Sequence, residues 1–262
     1  PPAPVTEPEK TFEEVLDEHP VSIQVNGQWQ TFPNAKAAEE ASYEEYKANL
    51  RRNAKNFRIT DEHLGEGGPK AKFQANVNAI RLLKELEAAG QQASPEQQEV
   101  LSRYVGWGGL SDAFDPEKPA WTLEYAQLKE LLTPEEYAAA RSSTLNAHYT
   151  SPTVIKAIYD AVGRMGFETG NILEPSMGVG NFFGMLPEEM RNSRLYGVEL
   201  DPVSGRIAKQ LYPKADITVG GFETTDRRDF FDLAVGNVPF GQYQVNDKVY
   251  NKLNFNIHNY FF

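Results

Sequence analysis

Short apolar segments alternate with helical segments through the second half of the chain. The segments at 171–173, 195–198, 216–219 and 232–235 have the length and composition of buried strands. The sequence between them, for example at 203–211, has helical spacing. Strands that are separated by helices need crossover connections, which produce a mainly parallel sheet. The sequence therefore predicts an α/β fold with a Rossmann-like parallel sheet.

The first 140 residues predict a different architecture. Alternating apolar residues at 21–25 lead into Asn26-Gly27, which tolerates the positive φ angles of a tight β-hairpin turn. Helical segments follow, and two of them begin with a capping residue before proline, at Ser94 and Thr133. The predicted divisions are a proline-rich linker over 1–10, a hairpin plus a mainly helical module over 11–142, and an α/β domain over 143–262.

Composition excludes several functional classes. The chain has 262 residues, of which 40% are apolar, enough to bury a core. No run approaches the roughly 18 apolar residues of a membrane span. The absence of cysteine excludes disulfides and thiolate metal sites, and the four histidines are too far apart in sequence to suggest a zinc site. The net charge of −11 argues against non-specific coating of nucleic acid. We therefore expect a cytoplasmic protein with no membrane partner and no metal.

A glycine-containing turn joins the first strand of the predicted sheet to the helix that follows it. Gly178 and Gly180 allow the backbone to turn sharply and to approach a ligand closely. The third glycine of the dinucleotide fingerprint is replaced by Phe183, which counts against NAD. Glu174 places a negative charge at the end of the strand, where it repels a phosphate and attracts an ammonium group. A Gly-x-Gly pair by itself is equally typical of a purely structural turn.

Two further polar positions follow later strands. Glu199 can accept hydrogen bonds from both ribose hydroxyls of a nucleoside, although an acid that begins a helix is a common alternative. Asn237 and the backbone carbonyl of Val238 offer two acceptors to an exocyclic amine, and Phe240 can stack on a base. An ordinary turn is the alternative for this motif. Because ligands bind at the carboxyl ends of the strands in open α/β sheets, the three positions together favour a ligand site.

These motifs resemble those of amino-group DNA methyltransferases of the adenine-N6 type. Glu174-x-x-x-Gly178-x-Gly180-x-Phe182 resembles the family's cofactor motif, and Asn237-Val238-Pro239-Phe240 resembles its catalytic motif. His148-Tyr149-Thr150-Ser151-Pro152 resembles the motif that precedes the cofactor loop. The order of these motifs resembles the gamma arrangement. The segments 56–60, 104–110 and 236–241 are also similar to the large methylase–helicase fusion proteins of phages and conjugative elements, some of which are linked to anti-restriction.

The resemblance implies a class I methyltransferase sheet that binds S-adenosylmethionine and methylates an adenine flipped out of DNA. Asn237 and the Val238 carbonyl would accept the hydrogens of the adenine amine, with Pro239 completing the motif and Phe240 stacking on the base. The residues it implies for the cofactor are Tyr149, Thr150, Glu174, Pro175, Gly178, Gly180, Glu199 and Phe222.

Three departures from the family pattern favour a second hypothesis. Val238 replaces the first proline of the catalytic motif, and Gly220-Gly221-Phe222-Glu223 lacks the aspartate that often contacts the cofactor adenine. The chain also ends at Phe262, before the later strands of a complete methyltransferase sheet. The alternative function is a catalytically silent, methyltransferase-like binding module of an anti-restriction or mobile-element protein.

The early end of the chain also leads to predictions about partners. We expect DNA as the substrate and further domains of the same parent chain, including a helicase. An incomplete sheet would leave the edge of the 232–235 strand unpaired, so we expect the chain either to oligomerise through that edge or to be held together by its N-terminal module.

Overall fold

A computed structural model describes residues 19–145, 149–225, 227–240 and 244–261, excluding the side chains of 46–53. The predicted linker over 1–10 and His148 of the motif before the cofactor loop lie outside the described residues. Backbone contacts divide the chain into two compact units, residues 1–54 and residues 55–262.

The first unit contains the predicted hairpin. Strands β1 (Val21–Val25) and β2 (Gln28–Phe32) pair in antiparallel register. Asn26 and Gly27 have φ angles of 52° and 75°, which is the combination that a type I′ turn requires. Helix α1 (Ala35–Asn53) follows the hairpin. The predictions of a hairpin and a following helix are therefore confirmed.

The second unit begins with a helical layer formed by α2 (Pro69–Ala88), α3 (Pro95–Ser102), α4 (Thr122–Leu131) and α5 (Pro134–Ser143). Ser94 and Thr133 each form a capping box, in which the side chain accepts from the N3 backbone and the N3 side chain accepts from the cap backbone. Trp107 is buried at the centre of this layer, with its ring edge-to-face against Phe114 at a centroid distance of 5.3 Å.

The predicted parallel sheet is confirmed. Its strands are β3 (Asn171–Glu174), β4 (Arg194–Glu199), β5 (Asp216–Val219) and β6 (Leu233–Ala234), and they lie in the order β5-β4-β3-β6. This is the order of a Rossmann-type sheet, whose topological switch point lies between β3 and β6. The helices of this part of the chain are α6 (Pro152–Arg164), α7 (Asn181–Gly184), α8 (Pro202–Leu211) and α9 (Ile257–Tyr260).

Strand β6 is shorter than the segment 232–235 predicted for it. The Asp232 side chain accepts a hydrogen bond from the backbone N–H of Asn171 over 2.7 Å, so it occupies the place of a ladder bond. The backbone N–H of Val235 still donates to the Leu173 carbonyl over 2.9 Å. Beyond Val235 the chain turns away towards the catalytic motif.

One continuous apolar core joins the helical layer to the sheet, from Phe57 to Val235. Ion pairs at its margin connect α8 with the helical layer, because Arg206 contacts Glu136 over 2.7 Å and Glu87 over 2.9 Å. Lys84 contacts the other oxygen of Glu136 over 2.9 Å. The predicted boundary at residue 142 lies within this unit and stays a prediction about functional division.

Within the described ranges, no helix is both long enough and apolar enough to cross a membrane. The same ranges contain no group of three His, Cys, Asp or Glu side chains arranged to hold a metal ion.

Candidate active site

A cavity of about 700 Å³ opens at the carboxyl ends of the strands, in the size range of small-molecule and cofactor sites. Eleven of the twelve site residues predicted from the sequence line it: Tyr149, Thr150, Glu174, Pro175, Gly178, Glu199, Phe222, Asn237, Val238, Pro239 and Phe240. They come from segments separated by up to 91 positions in the chain, and the parallel sheet brings them together. Their individual roles stay predictions.

Gly180 is the predicted residue that does not line the cavity. It has φ 84°, and a Cβ built there would lie 2.6 Å from the Tyr212 ring. A side chain at this position would therefore displace a buried tyrosine as well as strain the backbone. Gly180 is the N-cap of α7, and its left-handed backbone conformation completes the turn that begins after β3.

The turn between β3 and α7, residues 175–180, will be called the cofactor loop. Two backbone groups of this loop hold it against β4. The Met177 N–H donates to the Val198 carbonyl over 3.0 Å, and the Gly178 N–H donates to Oε2 of Glu199 over 2.6 Å. The other carboxylate oxygen of Glu199 accepts from the Asp201 N–H over 2.7 Å. Each oxygen keeps a second lone pair, so Glu199 can still accept hydrogen bonds from a ligand.

Burial changes the protonation of Glu199. Desolvation, together with the nearby charge of Asp201, raises its pKa to about 7, although the hydrogen bonds from Asp201 and Gly178 act in the opposite direction. Near neutral pH this carboxyl group therefore exists in both protonation states.

Glu174 is the most deeply buried acid of the cavity. It is 2% exposed, and its Oε2 atom has no hydrogen-bond partner within the described residues. Desolvation raises its pKa well above the ordinary value, and the charge of Glu199 adds to that effect. A buried carboxyl oxygen without a partner is costly, and a cationic group bound in the cavity would remove that cost.

Tyr149 packs against two glycines from different parts of the chain. A Cβ at Gly178 would lie 3.1 Å from the Tyr149 ring, and a Cβ at Gly106 would lie 2.7 Å from it. Both glycines have positive φ angles, 57° and 67°. The Tyr149 ring is therefore clamped between the cofactor loop and a loop of the helical layer.

The helical layer supplies a wall of the cavity that sequence reasoning did not predict. Tyr104 and Gly106 come from the loop after α3, and Ser142 and Ser143 come from the end of α5. Asn76 holds this loop by accepting from the Val105 N–H over 2.8 Å and donating to the Gly106 carbonyl over 2.6 Å. The segment 104–110 was noted for its resemblance, but no local pattern placed it at the site.

Two unpaired polar atoms lie at the cavity, one in this wall and the other at the start of α8. The hydroxyl group of Tyr104 and the Oδ2 atom of Asp201 are buried without hydrogen-bond partners within the described residues. Asp201 uses its other oxygen to cap α8, accepting from the Ser204 N–H over 2.7 Å. One unpaired donor and one unpaired acceptor in the same cavity suit a polar, neutral or cationic ligand.

The catalytic motif reaches the cavity through the pairing of β6 with β3. A Cβ at Gly236 would lie 3.5 Å from Glu174 Cγ, so the chain passes directly beside the cofactor loop before it reaches Asn237. The Asn237 side chain is exposed, whereas Val238 is 9% exposed. Phe240 is 68% exposed beside the cavity, where its ring is available to another flat ring.

Phe222 lies in an aromatic cluster at the other side of the cavity. Its ring is 5.1 Å from that of Phe261, with 30° between the ring planes, and 6.2 Å from that of Tyr260. The hydroxyl group of Tyr260 donates to Oδ2 of Asp247 over 2.7 Å, which ties the segment around Asp247 to this cluster.

The charges of the cavity are all of one sign. Its lining includes Glu174, Glu199, Asp201 and Glu223 and contains no Lys, Arg or His among the described residues. Such a lining repels phosphate groups and favours a cation, and the aromatic cluster adds a surface for a base. The site therefore has the chemistry to bind a cationic nucleoside rather than a dinucleotide.

The chain is similar to a viral methyltransferase and to a phage protein named for defence against restriction. It is 37% identical over 92 residues to the type II methyltransferase M.CvrRI of Paramecium bursaria Chlorella virus XZ-6E, covering 35% of this chain and 24% of that protein. It is 27% identical over 180 residues to defense against restriction protein B of Escherichia phage P1, covering 68% of this chain and 6% of that protein. The predicted resemblance to methyltransferases and anti-restriction proteins is thereby confirmed.

No protein-family model matches the chain. Among solved structures, it is similar to a Listeria monocytogenes protein assigned to the class I S-adenosylmethionine-dependent methyltransferases, with a TM-score of 0.35 and 15% identity over 67% of this chain and 60% of that one. The strand order, rather than this weak similarity, defines the fold. The chain spans less than a quarter of the length of the two curated relatives.

Proposed function

We propose that the chain binds S-adenosylmethionine and transfers its methyl group to the N6 amine of an adenine that has been extruded from DNA. One observation supports the proposal above the others. Glu174 and Glu199 end two neighbouring strands, Asn237 follows a third, and all three residues line one acidic cavity.

The residues present fit the cofactor. Glu174 has an unpaired buried oxygen to receive the ammonium group, and Glu199 keeps lone pairs for the two ribose hydroxyls. Phe222 offers an aromatic surface for the adenine ring of the cofactor. The aspartate that often contacts this ring in the family is absent from the chain at 220–223. When bound, S-adenosylmethionine supplies an electrophilic methyl group on a positively charged sulfur, which the acidic lining favours over phosphate-bearing ligands.

The catalytic motif supplies acceptors to the target amine. The Asn237 side-chain oxygen and the Val238 carbonyl would accept the two N6 hydrogens, which localises the lone pair on nitrogen as it attacks the methyl carbon. The bond from that carbon to sulfur breaks as the new bond forms, and the nitrogen then releases one proton to solvent. Valine keeps the carbonyl that this role requires, and Phe240 is exposed so that it can stack on the target base.

Radiolabelled S-adenosylmethionine tests this function directly. We expect the protein to incorporate label into duplex DNA, and digestion to nucleosides should place that label in N6-methyladenine. Asn237→Ala should lower incorporation about a hundredfold, the scale of losing one well-placed catalytic hydrogen bond, with unchanged cofactor affinity. Asn192→Ala, at an exposed position outside the cavity, is the matched control. Label in cytosine, or full activity in Asn237→Ala, would contradict the proposal.

The silent binding module is the second candidate, and the Val238 substitution favours it. Proline would fix the backbone of the catalytic motif, whereas valine leaves it more freedom and adds an N–H group. Calorimetric binding of S-adenosylmethionine without methyl transfer by the full-length protein would support this alternative. The helicase, the further domains, the cytoplasmic location and oligomerisation through the β6 edge stay predictions.

A further inference from the structure

The segment after the catalytic motif exposes apolar side chains to solvent. This segment, residues 244–256, will be called the post-motif loop. Val249 is 63% exposed, Leu253 is 56% exposed and Tyr250 is 44% exposed, within a stretch of five residues. A concentration of exposed apolar groups in a soluble protein commonly marks an interaction surface.

The exposure is built into the loop by its hydrogen bonds. Asp247 is 9% exposed, and its Oδ1 accepts from the Val249 N–H over 2.7 Å while its Oδ2 accepts from the Tyr260 hydroxyl. The Asp247 N–H in turn donates to the Asn251 side chain over 2.8 Å. Asp247 therefore lies inward with its carboxylate paired, while Val249, Tyr250 and Leu253 face solvent.

The charge of the post-motif loop is opposite to that of the protein. The loop carries Lys248 and Lys252, and its one acid, Asp247, has its carboxylate hydrogen-bonded within the structure. Neither lysine forms an ion pair with any described residue. The remaining polar side chains of the loop are the amides Gln244, Asn246, Asn251, Asn254 and Asn256. In a chain of net charge −11, this local excess of one positive charge is complementary to a polyanion.

The loop lies beside the catalytic motif. Val245 of the loop and Ile257, which directly follows the loop, line the same cavity as Asn237. The ring of His258 is 6.4 Å from that of Phe240 and inclined to it by 30°. A base that entered the cavity would therefore bring its flanking strand to this loop.

We propose that the post-motif loop holds the duplex around the extruded adenine, with Leu253 inserted into the base stack and Lys248 and Lys252 bound to phosphates. The proposal rests on the function proposed above. Extruding a base leaves a gap in the stack, and proteins commonly fill or widen such steps with an exposed apolar side chain. The lysines neutralise phosphates without reading sequence.

A duplex that contains an abasic site tests the wedge without knowledge of the target sequence. Fluorescence anisotropy should show tighter binding to this duplex than to the intact one, because its gap needs no unstacking. Leu253→Ala should remove that preference and weaken abasic-duplex binding about tenfold, a scale set by the few kcal/mol of one unstacked step. Leu123→Ala, at a position that is 82% exposed on α4, is the matched control and should bind as the unmodified protein does.

The lysines should show a different signature. Lys248→Ala and Lys252→Ala should each weaken binding to both duplexes and lower the slope of log affinity against log salt by about 0.9. Lys209→Ala, an exposed lysine of α8, should leave the slope unchanged. A loop that bound another protein instead of DNA would give unchanged duplex affinities in all three loop variants, and this result would overturn the proposal.

Calorimetry with S-adenosylmethionine on the same samples separates the two proposals. No cofactor binding by the unmodified protein would refute the proposed function. Suppose instead that the unmodified protein binds the cofactor and methylates DNA, but that Leu253→Ala still prefers the abasic duplex. This result would refute only the role of the loop.

Discussion

The backbone N–H of Gly178 donates to Oε2 of Glu199 over 2.6 Å and so joins the cofactor loop to the end of β4. The two residues are 21 positions apart, and the parallel pairing of β3 with β4 brings them together. Glycine is required at position 178 for two reasons. Its φ angle is 57°, and the Tyr149 ring occupies the space into which a side chain would project. One hydrogen bond thus connects the loop to the proposed ribose contact.

Replacing the Glu199 carboxylate should weaken cofactor binding. In Glu199→Gln one of the two N–H donors, from Gly178 or Asp201, loses its acceptor, and the ribose loses a charged partner. Hydrogen bonds to charged groups contribute about 1.5–3 kcal/mol, so calorimetry should show a loss of about 10- to 100-fold in affinity for S-adenosylmethionine. Glu189→Gln, at an exposed position of a short 3-10 helix, should leave the affinity unchanged.

Cofactor affinity should rise with pH across neutrality. Burial raises the pKa of Glu199 to about 7, and ribose hydroxyls donate best to the ionised carboxylate. Cofactor binding should therefore strengthen between pH 6 and pH 8. Burial also raises the pKa of Glu174, so ionisation of Glu174 at higher pH should likewise strengthen the binding of an ammonium group. The unliganded protein should show the reverse trend in stability, because a raised carboxyl pKa costs folding free energy as pH rises. An affinity that falls over this range, measured by calorimetry, would contradict the assignment.

Alanine substitutions at two glycines of one loop should distinguish the effect of backbone strain from the effect of contact with Tyr149. Gly106 and Gly109 have φ angles of 67° and 74°, so alanine at either position costs about 1–2 kcal/mol in backbone strain. A Cβ at Gly106 would lie 2.7 Å from Tyr149, whereas a Cβ at Gly109 meets no atom within 4 Å. Denaturant unfolding should therefore show a larger loss for Gly106→Ala, which should also weaken cofactor binding. Equal effects of the two variants on cofactor affinity would show that the Tyr149 contact is unimportant.

The parallel sheet and most of the candidate site could be predicted from local patterns. The turn at Gly178 comes after the apolar strand β3, Glu199 ends β4, and Asn237 follows β6. In a parallel sheet such positions converge because all the carboxyl ends share one edge. The helix starts at Ser94 and Thr133 were equally clear, since a capping box is contained within four residues.

The wall formed by the helical layer could not be predicted in this way. Gly106 lies at the cavity because Asn76, 30 positions away, holds its carbonyl and because Tyr149, 43 positions away, fills the space beside it. Neither contact has a periodicity or a turn signal in the sequence. Trp107 is buried, as is common for tryptophan in a core, but its burial does not indicate that the neighbouring glycine faces a ligand cavity.

Two buried glutamates should respond to the same substitution with opposite signs. Burial raises the pKa of Glu174, whose Oε2 has no partner among the described residues, so ionisation at neutral pH costs folding free energy. Glu174→Gln should therefore raise the free energy of unfolding at pH 8 while it weakens S-adenosylmethionine binding about tenfold or more through the lost ammonium contact. Glu136, in contrast, is paired with Lys84 and Arg206. Desolvation opposes the ionisation of Glu136, but its hydrogen bonds and these two cations outweigh that effect and lower its pKa. The contribution of Glu136 to stability is therefore present at neutral pH and lost in acid. Glu136→Gln should lower the free energy of unfolding by about 1.5–3 kcal/mol in urea titrations at pH 8. If Glu174→Gln also destabilised the protein, Glu174 would have a partner within the folded chain and would not be available to a ligand.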